Sequence, residues 1–202
     1  HVITFFRMIA GEVREYMARL GFRKMDEMIG RSDMLEANTA IEFWKSKNVD
    51  LSRILIFSDV SASERRCTQK QECDRENAVD LKMLPQLERV IEKGGKVMLE
   101  VPIRNLNRTA GAIISSRIAR QHGGAGLPDD TITLKFRGAA GQSFGAFCSK
   151  GMTLILEGEA NDYLGKGLSG AKIIVKPSEG TAYAPSDNII AGNVLLYGAT
   201  SG

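Results

Sequence analysis

The stretch "GKGLSGAKIIVKP" (165–177) decides how this chain is read. Its first six residues spell G-x-G-x-x-G, the pattern that holds a dinucleotide pyrophosphate. That use requires a strand ending at the first glycine and a helix opening at the last, whose N-terminus offers free N–H groups and a positive dipole end. Neither flank fits. The nearest apolar run upstream, "TLILE" (153–157), ends some eight residues before Gly165. Downstream, "AKIIVKP" is β-branched and closed by Pro177, which reads as a strand. The glycines are therefore read as corners of a repeating β structure, where positive φ is free of a Cβ clash.

Working outward, "KIIVK" is one of four short apolar runs. The others are "ITLKF" (132–136), "TLILE" (153–157) and "NVLLY" (193–197), with starts 21, 19 and 21 residues apart. Glycines punctuate every interval. A period near 20 residues signals a solenoid. Leucine-rich repeats share the period, but their L-x-x-L-x-L framework is missing. Hairpins want shorter connections than these. A parallel β-helix, with like strands stacked about 4.8 Å apart, fits best, and all four runs are expected to be strands.

The first half reads differently. Ile3, Phe6, Ile9, Val13, Tyr16, Met17 and Leu20 form one helical stripe, with Gly21 as its stop. Thr39 and Glu42 make a capping box before Phe43 and Trp44. Residues 52–77 read as loop, and 78–93 as a helix with Pro85 as a kink or early boundary and Gly94-Gly95 as its end. Val97, Leu99, Val101 and Ile103 alternate as a strand. A helix over 109–121 carries Ile113, Ile114 and Ile118, with Arg117 and Arg120 suiting its negative end. Met8, Met17, Met25, Met28 and Met34 lie on or near helical stripes and are expected to fill core space.

Two further strings suggest chemistry. "GQSFG" (141–145) matches the nucleophile-elbow pattern, but His1 and His122 both precede Ser143, against the hydrolase order, and no helix follows. Cys148 is expected to pack as a small hydrophobe. Cys67 and Cys73 sit in a charged stretch without a nearby histidine or a C-x-x-C partner, so a zinc site would lack ligands. No catalytic, cofactor-binding or metal-binding residue is assigned.

Composition agrees with a globular chain. Of 202 residues, 43% are hydrophobic and 25% charged, and the net charge of +3 gives no case for a nucleic-acid partner. No apolar window is long enough for a membrane span. Three cysteines argue against a disulfide framework and for a reducing, cytoplasmic setting. "NRT" (107–109) fits a glycosylation sequon but lacks a secretory signal. His1 is not an initiator, so a processed or excised piece is expected.

The segments "GLPDDTI", "GQSFGAF", "GMTLILEGEANDY" and "GKGLSG", with "NLNRTAGAIISSRIARQHG" before them and "IIAGNVLLYGATSG" after, resemble the glycine-rich C-terminal domain of the glutamate synthase large-subunit family. Upstream, "AGEVREYMARLGFRKMDEMIGRSDMLE" is similar to the helical tail of that family's FMN-binding synthase domain. One departure is "GA" (170–171), where many relatives carry two glycines.

The resemblance implies an α+β chain: a helical tail over 1–60, a connector and helix over 61–95, and a right-handed parallel β-helix over 96–202, incomplete at its C-terminal end. It implies a non-catalytic scaffold within an enzyme that makes glutamate from glutamine and 2-oxoglutarate with reduction at FMN. The segment alone is expected to be inactive and without cofactor, the FMN and iron–sulfur cluster belonging to the parent. Cys67-x5-Cys73 copies the first spacing of the family's cluster cysteines, but Ala78 stands where a third ligand would fall, so the cluster cysteines are expected before His1. Implied partners are the amidotransferase and synthase domains and an electron-donating small subunit. Family members continue past "GATSG", so the layer at Asn193–Tyr197 is expected to be unpaired and to self-associate. The alternative is a stand-alone β-helix subunit that binds a partner oxidoreductase.

Overall fold

The structure, a computed structural model, describes residues 1–36, 44–45 and 49–202. Thr39, Glu42 and Phe43 lie outside the described residues. The chain divides into two compact units, His1–Glu72 and Cys73–Gly202.

In the first unit, α1 (Val2–Arg19) follows the apolar stripe and ends in a Schellman motif. Phe22 N–H donates to Met17 O and Gly21 N–H to Ala18 O, with Gly21 at φ 81°. A short α2 (Met25–Met28) and a 3-10 turn (Ser32–Met34) follow. Met17 is buried, but Ile3 and Phe6 are 70% and 62% exposed. Met17 thus packs as expected, whereas Met8, Met25 and Met34 are exposed, because the described residues of this unit leave most of the α1 stripe uncovered.

The second unit is α+β. The helix α3 (Val79–Lys93) runs through Pro85, so the proline is not a boundary, and it stops at Gly94 and Gly95, φ 79° and 108°. Strand β1 (Val97–Ile103), helix α4 (Ala112–His122), and strands β2 (Ile132–Ala140), β3 (Met152–Ala160) and β4 (Lys172–Lys176) complete the regular elements. The sheet is parallel throughout, in the order β1-β2-β3-β4. Pro102 is tolerated because β1 is an edge strand.

Register explains the alternation in the sequence. Ile132 pairs with Met152, and Leu99, Leu134, Leu154 and Ile173 line up across four strands. So do Val101, Phe136, Leu156 and Val175. These rows face the core, where Leu134, Phe136, Leu154 and Leu156 are fully buried. The opposite face carries a charge ladder: Glu100 with Lys135 and Arg137, then Glu157 with Arg137 and Lys176. Met83, Leu87 and Ile91 of α3 and Ile114 and Ile118 of α4 join the same core.

The fourth expected strand is corrected. "NVLLY" (193–197) forms turns, with Val194 at φ 57° and Leu196 at φ 56°. A strand needs negative φ at its non-glycine positions, and these residues instead stack on the turns at 163–167. The segment 177–191 displaces the repeat, so the next contact with β3 is a lone bridge from Ala160 to Ala191.

Candidate functional site

The glycine-rich returns between strands are built from overlapping turns in which alternate residues are left-handed. In one layer these are Ser143, Gly145 and Phe147, at φ 63°, 70° and 58°. In the next they are Tyr163, Gly165 and Gly167, at 61°, 66° and 62°, and in the last Val194, Leu196 and Gly198, at 57°, 56° and 68°. Thr109 and Gly111 begin the same pattern ahead of α4. Several of these residues close a turn, as in Ala146 N–H to Ser143 O and Lys166 N–H to Tyr163 O, both 3.1 Å.

Layers are joined by the remaining amides. Gly145 N–H donates to Ala110 O, Gly165 N–H to Phe144 O and Leu196 N–H to Leu164 O, at 2.9, 2.9 and 2.8 Å. In the other direction Ser143 N–H donates to Asp162 O and Tyr163 N–H to Asn193 O, at 2.8 and 2.9 Å. Intervening side chains point inward: Phe144, Ala146 and Cys148 are fully buried, and Phe144 meets Phe136 edge-on at 5.2 Å between ring centroids.

This geometry answers the question posed by "GKGLSG". Every amide from Gly165 to Gly170 already donates to a protein carbonyl: Phe144, Tyr163, Tyr197, Gly165, Cys148 and Ser201 in turn. A pyrophosphate would find none free, and residues 172–176 are strand, not helix. Contact also restricts Gly167, since a Cβ there would lie 2.5 Å from the Phe147 ring. Titration with NAD or NADP, followed by calorimetry and melting temperature, is therefore expected to give no saturable binding. Micromolar saturable heat would contradict this.

The other sequence candidates are not brought together. Ser143 is a ladder residue, and the His122 ring Nε2 lies 2.7 Å from Ile91 O. Cys148 is wholly buried, and desolvation raises its thiol far above its ordinary pKa, with the Asp80 charge adding to the effect. Burial of this kind disfavours the thiolate form. Cys67 is exposed and its Sγ donates to Gln69 O at 3.1 Å; Cys73 is exposed as well. Among the described residues no group of three or more His, Cys, Asp or Glu is placed to hold a metal. No helix of the described residues is long and apolar enough to cross a membrane.

Two carboxylates do position backbone. Asp80, buried on the first turn of α3, accepts from Gly111 N–H and Ile113 N–H at 2.8 Å and from Ile114 N–H at 3.3 Å. It is the N-terminal cap that α4 lacks locally. Burial pushes its carboxyl above the usual range, against the lowering effect of those amides. Asp130, left-handed at φ 58°, binds Lys172 Nζ at 2.8 Å and Thr153 Oγ1 at 2.7 Å, tying the start of β2 to β3 and β4. The hydrogen bonds from Lys172 and Thr153 hold its carboxyl below the ordinary value. Sequence reading missed Asp80 because its partners lie more than 30 residues away.

A parallel sheet whose returns are glycine-rich ladders stacked amide to carbonyl, with every N–H from Gly165 to Gly170 engaged, is a structural class of its own. The chain belongs to the GXGXG motif family, which matches residues 80–202. Over its whole length it is similar to the glutamate synthase [NADPH] large chain of Bacillus subtilis, at 50% identity. It is similar to the glutamate synthase [NADH] of Schizosaccharomyces pombe at 44%, and to ferredoxin-dependent glutamate synthase 2 of Synechocystis at 39%. The chain spans 13%, 10% and 13% of the lengths of these three relatives.

Proposed function

We propose that this chain is a scaffold portion of a glutamate synthase large chain, the enzyme that makes glutamate from glutamine and 2-oxoglutarate with reduction at FMN. The observation that carries the reading is the extent of the similarity: it covers residues 1–79, ahead of the GXGXG match, as well as the ladder unit. A stand-alone subunit would have no need of that first segment. FMN, the iron–sulfur cluster and the reacting residues belong to the remainder of the parent, in the cytoplasm, and the ladder unit holds catalytic domains in register.

The ladder unit is, on this reading, a right-handed parallel β-helix. Three features support it. The strands are parallel and follow sequence order, the returns repeat the same left-handed positions, and a crossover between parallel strands of one sheet is right-handed in nearly every case.

A chimera tests the function. Residues 1–202 replace the matching segment of the Bacillus subtilis large chain, and glutamine-dependent glutamate formation is assayed. The expected result is a folded chimera that retains activity, while the isolated 202-residue chain forms no glutamate. A folded chimera that oxidises reductant with ammonia but has lost coupling to glutamine would still support a role in register. A folded chimera with full loss of both activities, or a catalytically active isolated chain, would contradict the scaffold role.

The same reading includes self-association. Val194, Leu195, Leu196 and Tyr197 form an exposed apolar layer, and β4 offers a strand edge without a further partner among the described residues. Sedimentation equilibrium is expected to show dimers that Leu196→Lys disperses. A monomer at all concentrations would contradict it.

A further inference from the structure

We infer that the furrow between α3 and α4 is a docking site for an acidic, amphipathic helix. The two helices run in the same direction, since Asp80 joins their N-terminal ends and Ile91 O meets His122 at their C-terminal ends. Between them lies an open groove of about 500 Å³. Leu84 of α3 and Ile113 of α4 supply its apolar floor, and Arg75, Arg117 and Arg120 line it with Glu88 as the opposing charge.

Charge complementarity selects the occupant. Arg75 and Arg120 form no ion pair among the described residues. Arg117 reaches Glu88 and Glu92 only at 3.8 and 4.0 Å, with its guanidinium 43% exposed. Three guanidinium groups against Glu88 in the lining and Glu92 beside Arg117 still leave the groove positive.

The arginines do not share one end. Arg75 precedes the first turn of α3, whereas Arg120 lies about 10 Å along α4 from Ile113. A single small anion would meet one end of this row and stay largely in water, since sites for small ligands enclose most of the ligand surface. A helix with apolar residues at i, i+3, i+4 and i+7, flanked by glutamates, fills the floor and meets both ends.

Fluorescence anisotropy of the 202-residue chain with two synthetic helical peptides tests this. One carries leucines at those positions flanked by glutamates, and the other has lysines in place of the glutamates. The acidic peptide is expected to bind, and raising salt weakens it. The double substitution Arg117→Glu with Arg120→Glu weakens it roughly tenfold or more and transfers preference to the lysine peptide. Arg75→Glu, at the other end, gives a second independent loss, with far-UV circular dichroism confirming the fold of each variant. Three results would overturn the inference: equal binding of both peptides, affinity unchanged by the charge reversals, or displacement of the acidic peptide by millimolar inorganic phosphate, which would make the groove a small-anion site. No binding of the acidic peptide would overturn it as well.

Discussion

Gly158→Ala is expected to destabilise the ladder unit by about 3–5 kcal/mol, the sum of backbone strain and overpacking. Gly158 of β3 is in register with Gly138 of β2, which in turn faces Ile103 of β1. Both glycines have positive φ, 149° and 126°. A Cβ at Gly158 would overlap the Gly138 carbonyl oxygen, and one at Gly138 would overlap the Ile103 carbonyl oxygen. These are backbone atoms, so no rotamer change relieves the clash. The loss is read from urea unfolding followed by circular dichroism. Gly124→Ala is the control: no atom lies within 4 Å of an added Cβ there, and its φ is ordinary for an L residue, so its effect should stay within about 0.5 kcal/mol. Equal effects from the two substitutions would contradict the stacked-glycine account.

Asp80→Ala carries the second large effect, a loss of about 3 kcal/mol. It leaves three amide donors at the buried start of α4 without an acceptor. Asp80→Asn should fall between, because one oxygen of the carboxamide still accepts while its NH2 group faces donors. The pH dependence has a definite sign. The folded carboxyl titrates above its unfolded value because burial disfavours the charge. Its proton-linked contribution is thus fullest below the unfolded Asp range, about 3.9, and declines as pH rises through the folded value. The margin of the native chain over Asp80→Asn should accordingly shrink as pH rises across that window. A growing margin would mean that the three amides outweigh desolvation.

Much of this fold was legible in residue pattern. "ITLKF", "TLILE" and "KIIVK" alternate with period two and lie in β2, β3 and β4, because one face of each strand meets the core and the other meets water. The flanks of Gly165–Gly170, an early strand end and a following strand, argue against a nucleotide loop, and they are local features of the sequence. "NVLLY" misled because apolar composition does not report the sign of φ, and Val194 and Leu196 are rare left-handed aliphatics. Aligning "YLGKGLSG" with "VLLYGATSG" would have exposed the correspondence, since Gly167 and Gly198 occupy the same ladder position. Asp80 was invisible for a different reason. A first-turn aspartate in a helix looks like a cap for its own helix, and only the fold turns it toward α4. The stripe of α1 likewise announced a helix but not what would cover Ile3 and Phe6.

The central claim is that the amides of "GKGLSG" are consumed in a stack and not offered to a ligand. Residue-resolved amide hydrogen exchange by NMR tests it most directly. Tyr163, Gly165, Gly167, Ser169 and Gly170 should exchange as slowly as Leu154 and Leu156 of β3, because each donates to a carbonyl of a neighbouring layer. Fast exchange throughout Gly165–Gly170 with β3 still protected, or slowing there only on addition of a nucleotide, would contradict the account.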